Sequence, residues 1–373
     1  MRSYNSYGIR VLLCLLWTKF LSASLVIRVS SKTGNDTSSC RQSNATQACK
    51  SVAYALGALW DAKNYNETDF TFLMEDQVYP LIERVKINQT SVLKSVYLKS
   101  SNRTVIHCED DSAGVEIGTR EVQDFNANKT RNIYFQNLEF QNCGPRFAAA
   151  MLIWNSVDIG FTNCVFRQNK QTGINAFDSG VTIESCHFEN NTSNGHNSSE
   201  KYKEGITSAG GAAGFLFYSA KNLSLIIRNS VFISNVAVTN DLPFFVAPSY
   251  NVSQIITGGG GLLVVFKGEA KHCQVNLGNI TFLNNTATFG GGVYFEQSNM
   301  AVRNKYIVTN SNFTGNFAGQ TGGGLIFSQW DNASSVTTIF KNCTVNENSA
   351  KRGAGMNVFL MNNDSTPNDS VIR

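Results

Sequence analysis

Charge is scarce in this sequence. Lys, Arg, Asp and Glu make up 16% of 373 residues, against about a quarter in ordinary globular chains. The formal net charge is +4. Three of the basic residues, Arg2, Arg10 and Lys19, stand at the extreme N-terminus, and without them the charge falls to +1. No concentrated basic face exists, which excludes nucleic acid as a partner. Histidine is scarcer still. His107, His187, His196 and His272 are scattered, and none has metal-ligand spacing. No metal is expected. Long apolar runs are absent: Val11–Trp17 is followed by Lys19 and is too short to span a bilayer. Helical periodicity is confined to Ala48–Ala62, where Val52, Leu56 and Leu59 recur at near-helical spacing.

The sequence has asparagine in quantity, 42 residues, with abundant Ser, Thr and Gly. That composition suits stacked strands and turns rather than helices. Arg2 and Arg10 around Val11–Trp17, followed by Ser22, Ala23 and Ser24, read as a secretory leader over residues 1–24. The expected location is therefore secreted or at the cell surface. Cys14 leaves with the leader, and eight cysteines remain. Cys40 and Cys49 close a small loop and are expected to form a disulfide. Eighteen Asn-x-Ser/Thr sequons, Asn35, Asn66, Asn128, Asn251 and Asn332 among them, fit a glycosylated exported protein.

A repeat organises the rest. Asn279-Ile-Thr-Phe282-Leu-Asn-Asn285 precedes Gly290-Gly-Gly, and the unit recurs at Phe313 and Val345. The anchor aromatic also stands at Phe140, Phe166, Phe188, Phe232. Three residues later come Cys143, Asn169, Asn191, Asn235, Asn285, Asn316 and Asn348; two residues earlier come small or apolar residues, Cys164, Cys186 and Cys343 among them. Units of 22 to 32 residues are too short for helical crossovers. Coils advancing about 4.8 Å each would stack equivalent side chains. The Asn column suits tight αL turns and can hydrogen-bond along its length. The glycines mark a corner needing positive φ or close approach.

The expected fold is all-β: a right-handed parallel β-helix, or solenoid, with an N-terminal capping helix. Residues 25–131 would form the cap and irregular first coils, with strands at Leu25–Ser30, Phe70–Met74, Val92–Leu98, Val105–Cys108 and Val115–Ile117. Residues 132–373 would form regular coils. Ser370–Arg373 matches Ser224–Arg228, so a further coil is expected to follow, with membrane attachment through sequence beyond it. Cys164 and Cys186, on successive coils, could bridge or remain buried thiols. Cys343 occupies the same position without a neighbour, which favours thiols.

Phe-x-x-Asn followed by Gly-Gly-Ala/Gly and Leu, Val or Ile resembles the repeats of chlamydial polymorphic outer membrane proteins. Phe232–Asn235, Phe282–Asn285 and Gly322–Leu325 carry the likeness. More widely, the chain is similar to parallel β-helix proteins of the pectate-lyase-like superfamily. The resemblance implies catalytic carboxylates, or calcium with an arginine base, on the outer face of adjacent strands. Asp110, Asp111, Arg167 and Glu189 are the candidates it offers, and calcium is the cofactor only for a lyase. Arg167 and Glu189 follow their anchors directly and should be neighbours, which an exposed cross-strand ion pair explains equally. The Asn-Thr-Asp, Asp-Asp, Gly-His-Gly series of polygalacturonases is missing.

Spacing breaks twice, at Thr192–Ser208 and Val238–Ile256. Both insertions should leave one edge of the coil on neighbouring turns, where repeat proteins often bind. Tyr202, Phe244, Phe245 and Tyr250 are the candidate binding residues. The second insertion could equally fold onto the first and shield apolar surface. The leading function is an extracellular recognition or adhesion module for a glycan or an extracellular protein, with a polysaccharide lyase or hydrolase second.

Overall fold

The repeat becomes one coil of backbone, best seen from Gln274 to Gln297. A strand Gln274–Gly278 turns at Asn279 (φ 56°) into Thr281–Leu283. A second bend at Asn284 (φ 54°) leads to Thr286–Phe289. The glycine corner then gives Val293–Gln297. The next coil pairs with this one in parallel, Gln274 on Lys305, Phe282 on Phe313, and Val293 on Leu325. Every strand pairing among the described residues is parallel, giving sheets of 18, nine, five and two strands. The fold is a parallel β-helix, as the repeat predicts. The computed structural model describes residues 25–42, 45–61, 69–87, 95–110, 113–119, 129–143, 149–193, 208–237, 256–330, 333–360 and 371–372. The expected leader lies outside them.

The interior is a column of rings. Phe140, Phe166, Phe188, Phe232, Phe282 and Phe313 stack with centroids 4.6–5.3 Å apart. All six are fully buried. Each such ring contributes about 1.5–3 kcal/mol through burial alone.

Beside this column runs a ladder of buried asparagines. Asn169, Asn191, Asn235, Asn285 and Asn316 each donate Nδ2–H to Oδ1 of the asparagine one coil on, at 2.7–3.0 Å. Each also donates to the anchor carbonyl one coil back, from Phe140 to Phe282. The expected hydrogen-bonded column therefore exists. Its backbone geometry is a correction. The αL residue is the one before each ladder asparagine: Gln168, Asn190, Ser234, Asn284, Gly315 and Glu347, with φ between 53° and 64°. A sharp bend needs its αL residue on the outside, with the side chain in solvent. The following residue then turns inward, where its side-chain amide donates to the anchor carbonyl one coil back.

The glycine corner has both properties expected of it. Gly290 and Gly322 have φ of 60° and 70°. A Cβ on Gly291 would sit 2.5 Å from the Gly323 carbonyl oxygen.

The N-terminal part departs further from expectation. Val96–Cys108 is one strand of 13 residues, and Val78–Leu81 and Arg84–Ile87 are strands that the alternation of residues did not mark. Their short length and the Pro80 within them hide the pattern. The expected helix over Ala48–Ala62 is two short ones, Val52–Leu56 and Ala58–Asp61. Cys49 is instead extended and bridges to Val29. Ser51 Oγ caps the first helix by accepting from Tyr54 N–H at 3.0 Å. That helix packs on Leu25–Val29 and Arg84–Ile87, the terminal strands on their sides of the coil.

Two disulfides lie among the described residues. Cys40–Cys49 is the expected one; Cys108–Cys143 joins successive coils with Cα atoms 4.9 Å apart. Cys143 occupies the ladder position one coil ahead of Asn169, and its N–H donates to Asn169 Oδ1 at 2.9 Å. Cys164 and Cys186 are buried thiols facing the carbonyls of Phe135 and Phe161.

Candidate functional site

Strand alternation fixes what the anchor strands show to solvent. The anchor points inward, so the residues on either side of it point out. Register aligns His107, Gln141, Arg167 and Glu189 in the column after the anchor, and Val105, Glu139, Val165 and His187 in the column before it. Four charged or titratable groups meet there. Arg167 Nε lies 3.0 Å from Glu189 Oε2, and its Nη1 lies 3.5 Å from Glu139 Oε1. His187 Nε2 is 3.4 Å from the same Glu189 oxygen. The Glu139 side chain is only 9% exposed, against 31% for Glu189 and 39% for Arg167. Gln141 Nε2 donates to Gln168 Oε1 at 2.9 Å, which extends the polar surface to the bend.

Arg167 and Glu189 thus stand together, as their shared position after the anchor predicts. Glu139 and His187 were missed. Both immediately precede an anchor phenylalanine, and applying the same facing rule to that column would have found them.

Asp110 is not part of this patch. It lies past the end of its strand and past Cys108, in a turn where its carbonyl accepts from Ala113 N–H at 2.9 Å. Asp111 lies outside the described residues, as do Tyr202, Phe244, Phe245 and Tyr250.

The roots of both insertions are described. Thr192–Ser193 pairs with Val236–Ala237, and Ser208–Ala209 pairs with Ile256–Thr257. Both insertions therefore leave and rejoin the coil at one corner, on neighbouring turns. Glu189 stands four residues before Ser193. The strands that follow the insertions carry an apolar strip on their outer side. Leu216, Leu263, Val265, Tyr294 and Ile326 form a buried cluster separate from the interior core. Glu296, also buried, accepts there from Tyr294 Oη–H at 2.8 Å and Ser298 Oγ–H at 3.1 Å. Burial and this carboxylate push the Tyr294 hydroxyl well above its usual pKa.

Asp36, Cys40 and Cys49 group closely enough to suggest metal ligands. Both sulfurs are consumed in the disulfide, and Asp36 Oδ1 accepts from the N–H groups of Lys50 and Ser51 at 2.8 and 3.0 Å. That group is a turn that leads into the helix.

No family profile matches the chain, and no curated protein matches it significantly. Among solved structures, the chain is similar to tailspike protein 3 of bacteriophage CBA120, with 10% identity over 100% of this chain and 67% of that one (TM-score 0.35). It is also similar to the catalytic domain of a GH87 alpha-1,3-glucanase in complex with tetrasaccharides. That match has 12% identity over 92% of this chain and 68% of that one (TM-score 0.33).

Proposed function

We propose that the protein is an exported, non-catalytic recognition module whose charged outer face binds a glycan. The observation that carries this reading is the sharing of one guanidinium by two carboxylates. Glycoside hydrolysis needs two carboxyl groups facing each other across the substrate, about 5–10 Å apart, one of them protonated. Glu139 and Glu189 instead stand on one strand face, each paired with Arg167. A lyase base would need an arginine free of such partners; Arg167 has two. What the patch does offer is a flat face of donors and acceptors that steps by about 4.8 Å per coil, a form suited to an extended polymer. The two disulfides support export, since such bonds persist in oxidising compartments.

The test is a panel of uronic-acid and neutral polysaccharides, with and without calcium. The expected outcome is binding without cleavage, weakened about tenfold, or about 1.4 kcal/mol, by Arg167→Met. Cleavage that disappears in Glu189→Gln would sink the reading in favour of a lyase or hydrolase. Deletion of Val238–Ile256 asks separately whether the insertions take part in binding.

A further inference from the structure

Two sequons overlap in Asn190-Asn191-Thr192-Ser193, and sequence alone makes either asparagine an acceptor. The fold separates them. Asn191 is fully buried. Its Nδ2 donates to the Phe166 carbonyl and to Asn235 Oδ1, both at 2.9 Å, so both amide hydrogens are in use. Its Oδ1 accepts from Asn169 N–H and Nδ2–H at 3.2 and 2.7 Å. A sugar on that nitrogen would remove a hydrogen the ladder needs and would have to lie inside the coil. Asn190, one residue earlier, is the αL residue of the bend, and its side chain is exposed. Asn284-Asn285-Thr286, in which only Asn284 heads a sequon, repeats the backbone arrangement two coils on. Asn284 is exposed at φ 54°, while Asn285 is fully buried in the ladder.

We propose that Asn190 and Asn284 are N-glycosylation sites and that Asn191 is not. The inference rests on the exported reading above. It also has a consequence for the candidate site, because Asn190 directly follows Glu189 and its glycan would border the charged patch.

Neighbouring coils supply substitutions that the fold already accommodates. Thr192 pairs with Val236 and Ser193 with Ala237. Thr192→Val therefore removes the Asn190 sequon and keeps that of Asn191; Ser193→Ala does the reverse. Thr286, which also pairs with Val236, permits Thr286→Val to remove the Asn284 sequon. The full chain would be secreted from a eukaryotic host and its N-glycans released enzymatically in heavy-oxygen water. Each occupied asparagine then becomes a labelled aspartate that peptide sequencing locates. The expected result is label at Asn190 and Asn284, lost from the respective peptides in Thr192→Val and Thr286→Val and retained at Asn190 in Ser193→Ala. Label on Asn191 that survives Thr192→Val overturns the assignment. Bare Asn190 and Asn284 alongside labelled Asn35 or Asn222 overturn it and leave the exported reading standing. A secreted chain bare at every sequon overturns the assignment alone, and a chain retained in the cytosol with every sequon bare overturns both.

Discussion

At the scale of single residues, the ladder asparagines are where sequence and stability meet most sharply. Asn235 Nδ2 donates to the Phe188 carbonyl and Asn285 Oδ1, both at 3.0 Å, and its Oδ1 accepts from Asn191. Truncation removes hydrogen-bond partners from buried groups on the coils before and after it. Asn235→Ala is expected to cost about 3 kcal/mol in denaturant unfolding. Asn346→Ala, on an exposed strand residue, should cost less than about 0.5 kcal/mol. Equal losses at the two positions would refute the ladder's role. The importance of these asparagines was legible in the sequence from their fixed offset after the anchor. Their direction was not. Offset alone cannot say whether an asparagine takes the bend or fills it, and the bend was assigned to the wrong neighbour by one residue.

At the scale of elements, the first strand depends on a buried carboxylate. Asp76 accepts from Ser30 Oγ–H at 2.8 Å and from Ser31 N–H and Oγ–H at 2.5 and 2.8 Å. Burial works to raise its pKa, but the hydrogen bonds from Ser31 and Ser30 outweigh it, and the net direction is downward. A carboxylate with a lowered folded pKa adds stability that is fully present above its unfolded value and is lost as pH falls through the folded one. Unfolding midpoints followed from pH 6 downward should therefore show an acid-sensitive component below about pH 4 that Asp76→Asn lacks. A pH dependence identical in the two proteins would exclude it. None of this was visible in the sequence, because Ser30 and Asp76 are 46 residues apart in an irregular region with no repeat to align them. The helix shows a related limit. Its periodicity located Val52 and Leu56 correctly but extended the helix back over Cys49, which the disulfide to Cys40 and the bridge to Val29 hold extended.

At the scale of the whole molecule, the coil is quasi-one-dimensional, and each turn is stabilised only by its neighbours. Phe232 stacks on Phe188 at 4.6 Å and on Phe282 at 4.9 Å. Phe232→Ala should cost about 3–5 kcal/mol. Amide exchange should quicken chiefly in the coils around Ala213–Val236 and Leu262–Thr286, with the coils around Phe72 and Leu98 little changed. A uniform loss of protection along the chain would show that the coil unfolds as one unit instead.

The sequence by itself determined the parallel β-helix. A repeat places the same residue type at the same offset on every turn, and burial of a ring column and an asparagine column is decided by that local pattern. It also placed Arg167 beside Glu189 and the two insertions on one edge, since both follow from counting along the repeat. Only the tertiary structure decided what lies across coils of unequal length. It joined Cys108 to Cys143 and kept Asp110 apart in a turn. The physical reason is register. Where the repeat is regular, sequence distance converts directly into contact; where its length varies, only hydrogen bonding between the folded strands fixes which side chains meet.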